Sequence, residues 1–170
     1  MPLTEFPEPA SSDDVTGLFA AYLDLYRGVV ETKLRGLDET QVREAVLPSG
    51  WSPLELLTHL VHMERRWFVW GVLGEPVERP WGDQGADGRW HVPDEVTVDA
   101  LLEQLHDGGR RTQEILRGVD LAQPAAIGGR FEDEPPTVLW ICFHVLQEYA
   151  RHAGHLDAVR ELLDGAVGES

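Results

Sequence analysis

The chain has 170 residues, 42% of them hydrophobic, with six tryptophans. That is enough apolar material to bury a core, and no low-complexity run marks a disordered segment. Thirty acidic residues against 14 basic ones leave a formal net charge of −16. Such a chain repels a phosphate backbone, so nucleic acid is excluded as the expected partner. Cys142 is the single cysteine, so no intrachain disulfide forms. No apolar run reaches the ~18 residues that span a bilayer. The N-terminal "MPLTEFPEPASSDD" lacks the basic-then-apolar order of a signal peptide. The expectation is a cytoplasmic protein of one domain, residues 1–170, with no membrane partner.

Four segments carry helical periodicity. The first runs from about Asp13 to Gly36, with Leu18, Tyr22, Leu25 and Val29 as its apolar stripe. Ser11, Ser12 and Asp13 are its candidate N-caps. The second starts at "SGWSPLELL", where Ser52 can cap and Pro53 suits the first turn, and it ends near Gly71 or Gly74. A long stretch follows, "GEPVERPWGDQGADGRWHVPDE", rich in proline and glycine and carrying Trp81 and Trp90. A loop of that length is often functional or wraps the core. The third helix runs from about Val98 to Gly118 through Leu101, Leu102, Leu105 and Ile115, against the weak helix formers of "DGG" at 107–109. A second loop, "AQPAAIGGRFEDEPP", leads to the fourth helix, from about Thr137 to Asp164. The fold class expected is all-α: a four-helix bundle with a long crossover between its second and third helices.

Five of the seven histidines fall in two of these helices. Each helical residue turns by ~100°. On the fourth helix Val138, Ile141, Cys142, Val145, Tyr149, Leu156, Val159 and Leu163 form the apolar stripe. With Val145 at zero, His152 falls at about −20° and Glu148 at about −60°, while His155 and His144 lie at about −80° and −100°. Glu148 and His152 are one turn apart and can share an ion, whereas His144 and His152 stand about 12 Å apart along the axis. On the second helix Leu56, Leu60, Met63, Trp67 and Trp70 form the stripe. His59 sits at about −40° from Met63 and points inward, with His62 flanking at about −100°.

The candidate metal ligands are therefore His59, Glu148 and His152. Two imidazoles and a carboxylate suit Zn²⁺ first, and also Ni²⁺ or Fe²⁺. Three protein ligands leave a position open for a thiolate or an activated water. The plainer reading is a hydrogen-bonded core in which Glu148 pairs with an arginine such as Arg66 or Arg151. His62 and His155 are candidates for a general base or for a group that supports the ligands. Cys142 reads as a small core residue. Arg65 and Arg66 would hold an anionic substrate or form a solvated face. Trp67 and Trp70 suit the core or a pocket wall. Trp81 and Trp90 would cover the open metal position or fasten the long loop to the bundle.

The stretches "GWSPLELLTHLVHMERRWF", "PWGD" and "LWICFHVLQEYARHAGHLDAVRELLDG" resemble the DinB-like superfamily, and within it the DUF664-type branch. The resemblance covers nearly the whole chain. It implies a four-helix bundle with a metal site, often in homodimers. Many DinB-like proteins use three histidines, two of them spaced i, i+4 on the last helix. Here the first of that pair is Glu148. The mycothiol-dependent maleylpyruvate isomerase branch is similar in this respect: its ligands are a histidine eight residues after a "GW" tryptophan, then a glutamate and a histidine spaced i, i+4. Trp51 to His59 matches the first spacing, and Glu148 with His152 the second. That isomerase carries a further C-terminal domain with no counterpart in these 170 residues. The resemblance therefore implies metal-dependent thiol transfer rather than isomerisation. The low-molecular-weight thiol would be mycothiol, the partner an electrophilic small molecule, and the assembly a homodimer. The alternatives are a non-catalytic metal-binding or small-ligand-binding bundle, and a structural dimer whose polar core residues satisfy one another.

Overall fold

The computed structural model describes residues 14–168. Four helices make the fold: α1 (Val15–Arg35), α2 (Pro53–Arg65), α3 (Val98–Gly118) and α4 (Val138–Leu163). A 3₁₀ turn, Gln41–Arg43, lies between α1 and α2, and a π-helical segment, Arg66–Val72, continues α2. α1 and α2 each pack on both α3 and α4, so the all-α bundle has α1 opposite α2 and α3 opposite α4. Among the described residues there is no strand, only isolated bridges such as Pro124 with Thr137. No helix of the described residues is long and apolar enough to cross a membrane.

Local chemistry explains the helix starts. Ser52 accepts from the Glu55 N–H while the Glu55 side chain accepts from the Ser52 N–H at 2.7 Å, a reciprocal cap with Pro53 behind it. Asp14 caps α1 by accepting from the Gly17 N–H at 2.8 Å. Ser11, Ser12 and Asp13, the caps expected from sequence, lie outside the described residues. Thr97 and Thr137 cap α3 and α4. α3 passes unbroken through Gly108 and Gly109. Gly109 is there for space, since a Cβ on it would stand 3.0 Å from the Arg27 guanidinium.

The stripe expected for α1 is out of phase. Of Leu18, Tyr22, Leu25 and Val29 only Leu25 is buried; the inward face is Phe19, Leu23, Leu25, Arg27, Val30 and Leu34. Two overlapping apolar stripes run along this helix, and the second borders a groove against α4 lined by Tyr22 and Tyr26.

One polar node ties all four helices together. Glu64 on α2 accepts from Arg27 on α1, from Thr112 on α3 and from Tyr149 on α4. All four residues are buried. Burial and the Glu64 charge push the Tyr149 phenol well above its ordinary pKa, so it stays a donor. The node sets the register of α2 and α4, the two helices that carry the inward histidines.

Candidate metal centre

His59 comes from the middle of α2, and Glu148 and His152 from one face of α4. The fold brings the three together: each offers one ligand atom, and these atoms all lie within 4.8 Å of one another. His152 Nε2 stands 3.2 Å from Glu148 Oε2, and His59 Nε2 stands 3.7 Å from the same oxygen. His59 Nε2 is buried and has no hydrogen-bond partner. A buried nitrogen left without a partner is uncommon and asks for an explanation, of which service as a metal ligand is one. The donor set of two imidazoles and one carboxylate fits a divalent cation.

The rest of the site holds His59 in place. Its Nδ1 meets Asp83 Oδ2 at 3.0 Å. Asp83 is fully buried and takes both Arg66 nitrogens, at 2.6 and 3.1 Å. Burial alone would raise the Asp83 pKa, but His59 and Arg66 outweigh it and hold the carboxyl down at about 2. An ionised Asp83 accepts the Nδ1 proton, which leaves the Nε2 lone pair facing Glu148 and His152. The indole of Trp90 stacks on the His59 ring at 4.2 Å between centroids and meets His152 at 5.4 Å, walling the cluster.

Electrostatics favour positive charge at the centre. Burial works to lower the His59 pKa, yet Asp83 and Glu148 raise it above its ordinary value. The His152 and His59 rings hold the Glu148 carboxyl well below the usual carboxylate range. A pocket that draws a proton onto an imidazole while keeping its carboxylate ionised will also draw a metal cation.

The flanking histidines separate. His155 reaches the cluster: its Nδ1 is 3.4 Å from His152 Nδ1, and its ring lies 5.7 Å from Trp51. His62 does not join it. It meets the Arg65 guanidinium at 3.3 Å and fills the space beside Gly82, and burial with the Arg65 charge pushes its pKa down to about 4. His144 brings Nε2 to 3.8 Å from the other Glu148 oxygen and stacks on Trp140 at 5.3 Å between centroids. Cys142 is buried, and burial pushes its thiol up to about 12.

Two sequence readings change. Arg66 is neither a solvated face nor a partner of Glu148; it is 3% exposed and committed to Asp83. Of the two loop tryptophans it is Trp90 that meets the cluster, while the Trp81 ring lies under Arg66 at 4.4 Å. Asp83, in "PWGD", is a residue of the site that the sequence does not single out. It sits in a loop, where no period tells which way a side chain points.

Residues 18–165 match the profile of the family described as Mycothiol-S-transferase. Among curated proteins none matches the chain. The match spans most of the molecule, from α1 to just beyond the end of α4, and takes in all three clustered residues. The chain belongs to the mycothiol S-transferase family, a DinB-like family.

Proposed function

We propose that this protein binds one divalent metal ion, Zn²⁺ first among the candidates, through His59, Glu148 and His152, and transfers mycothiol to an electrophilic small molecule. The observation that carries this reading is the buried, unpartnered Nε2 of His59 facing Glu148 across 3.7 Å. Membership of the family supports mycothiol as the thiol. When bound, the ion would lower the pKa of a coordinated thiol and fix its sulfur.

The chain's own residues supply the rest. Glu148 brings one negative charge and the neutral imidazoles none, so a divalent ion keeps a net positive charge that favours an anionic fourth ligand. Asp83 and Arg66 hold the His59 ring against rotation, and Trp90 keeps bulk water off its face. Of the two flanking histidines, His155 is the candidate to accept the thiol proton, because it adjoins His152 while His62 is taken up by Arg65. In the overall reaction the sulfur forms a bond to carbon. A halide departs with its electron pair and the thiol proton passes to water, whereas an opened epoxide or an unsaturated acceptor takes the pair and then the proton.

Elemental analysis should find one metal per chain in the wild type and in His144→Ala, and little in His59→Ala or His152→Ala. Metal-loaded protein should consume mycothiol saturably with some member of a panel of alkyl halides, epoxides and unsaturated carbonyls. Chelation should abolish this and Zn²⁺ restore it. Full metal content in His152→Ala sinks the ligand assignment. Equal consumption by chelated and loaded protein, or none at all, sinks the transferase reading and leaves a metal-binding bundle.

The same reading includes a homodimer. Trp140 and Phe143 are 51% and 65% exposed on α4, beside the groove that Tyr22, Tyr26 and Leu146 line. This is the face offered to a second copy of the chain. Sedimentation equilibrium should show a dimer at micromolar concentration, and Phe143→Glu should shift it toward monomer. A wild-type monomer at high micromolar concentration contradicts the assignment.

A further inference from the structure

Acids outnumber bases 30 to 14 in this chain, and its two fully buried arginines, Arg27 and Arg66, each grip a carboxylate. Arg130 is different. Its guanidinium lies 4.1 Å from the centre of the Trp67 ring, 5.5 Å from that of Trp81 and 5.9 Å from that of Trp70. It is half-buried, yet among the described residues no carboxylate, carbonyl or hydroxyl hydrogen-bonds or pairs with it. The ring faces attract a cation but fill none of its five N–H donors. Burial, with the charge of nearby Arg66, makes the cation less comfortable there and lowers its pKa. Its unpartnered nitrogens are not sealed from solvent, so the donors are open to an acceptor that arrives from outside the chain.

The placement is built rather than incidental. The Arg130 N–H donates to the Trp70 carbonyl at 3.1 Å, and the Ala126 N–H to the Val72 carbonyl at 3.1 Å, which fastens the loop to the π-helical end of α2. Such π-helical segments are often found at functional sites. Gly129 permits the approach, because a Cβ there would stand 2.3 Å from the Trp70 oxygen. The platform also borders the metal centre. The Trp67 ring meets the His144 ring at 4.3 Å, and His144 Nε2 is 3.8 Å from Glu148 Oε1.

We propose that Arg130 is the recognition group for a carboxylate on the electrophilic substrate, with Trp67 and Trp81 as walls for an unsaturated body. This rests on the transferase reading for the word substrate, but the anion site itself does not depend on metal or thiol. A planar guanidinium takes a carboxylate through two parallel hydrogen bonds, which a lysine cannot reproduce. The electrophiles selected would be unsaturated or aryl-bearing acids.

The test uses the full chain stripped of metal, so that an anion cannot sit on the ion instead. Benzoate and benzamide are titrated by calorimetry into wild type, Arg130→Gln and Arg130→Lys, each shown by circular dichroism to be folded. Benzoate should bind the wild type in preference to benzamide. Arg130→Gln should weaken benzoate by about tenfold, the scale of one charge-assisted contact, and leave benzamide unchanged. Arg130→Lys should fall between. The proposal is overturned if benzoate does not bind, if the two probes bind alike, if Arg130→Gln binds benzoate as the wild type does, or if benzoate binds only after Zn²⁺ is restored. A second arm compares turnover of 4-(chloromethyl)benzoate and its methyl ester with mycothiol. Acid preference in the wild type that Arg130→Gln loses supports the proposal, and a preference that persists overturns it. Absence of turnover with both substrates counts against the transferase reading, and the binding arm then decides the proposal.

Discussion

Glu64 on α2 and Glu148 on α4 both turn toward the bundle interior, and the fold treats them in opposite ways. Glu64 is 2% exposed and meets donors from the three other helices, with Thr112 Oγ1 and the Tyr149 hydroxyl each at 2.5 Å and Arg27 supplying the positive charge. Its acceptors are filled and its charge is cancelled from within the chain. Among the described residues no arginine or lysine pairs with Glu148. Its neighbours are three imidazole nitrogens, from His152 at 3.2 Å, His59 at 3.7 Å and His144 at 3.8 Å. A carboxylate meant for structure is neutralised by a cation the chain itself carries. One ringed by groups that hold lone pairs when neutral is ready to share a cation it does not carry.

Removing each glutamate is the hardest test of that contrast. Glu64→Ala strands Arg27 in the core, and breaking a buried ion pair from one side costs about 3–5 kcal/mol. In chelator, denaturant unfolding should show a loss of that size, or the variant should fail to fold. Glu148→Ala strands no guanidinium, and its imidazole neighbours can stay neutral, so under the same conditions it should lose clearly less than Glu64→Ala. It should instead lose the thermal stabilisation that added Zn²⁺ gives the wild type, since a ligand stabilises only the state that binds it. If the two variants lose equal stability in chelator, the contrast between the glutamates is wrong.

The difference also marks how far sequence reasoning reached. The bounds of α3 and α4 and the trio His59, Glu148 and His152 follow from one rule, a turn of ~100° per residue, because all of them sit on long α-helices. At Arg66 the rule gives a side but not a partner: at about −60° from Met63 the residue falls near His59, yet whether it pairs with Glu148, holds an anion or meets solvent is decided only by Asp83, which comes from the loop. The rule has no purchase on Asp83 and Arg130, which lie in loops. Residue type was the only signal available for them: an aspartate after Trp-Gly, and an arginine after two glycines, each in a stretch otherwise built for turning. In α1 two stripes of similar hydrophobicity compete, and only the packed bundle shows which one faces in.

Asp83 gives the finer test, because it belongs to both kinds of site at once. Toward Arg66 it closes an internal ion pair, like Glu64; toward His59 it orients a group that faces outward to a ligand. Asp83→Asn keeps the size of the side chain and an oxygen able to accept the Nδ1 proton, but it removes the charge. Two losses should follow, and they can be measured apart. The metal-stripped variant should melt lower than wild type, because the buried Arg66 cation no longer has its counter-charge. Metal affinity, read by competition with a chromophoric chelator well below the melting point, should fall by about 10–100-fold. That is the usual effect of altering a group that orients a ligating histidine, through ring orientation and basicity. The fall should be smaller than in His59→Ala, which removes the ligand itself. A variant that melts lower but binds metal as tightly as wild type would make Asp83 a structural residue alone. His59 would then owe its aim to the stacking of Trp90 and the packing of α2 rather than to the hydrogen bond behind it.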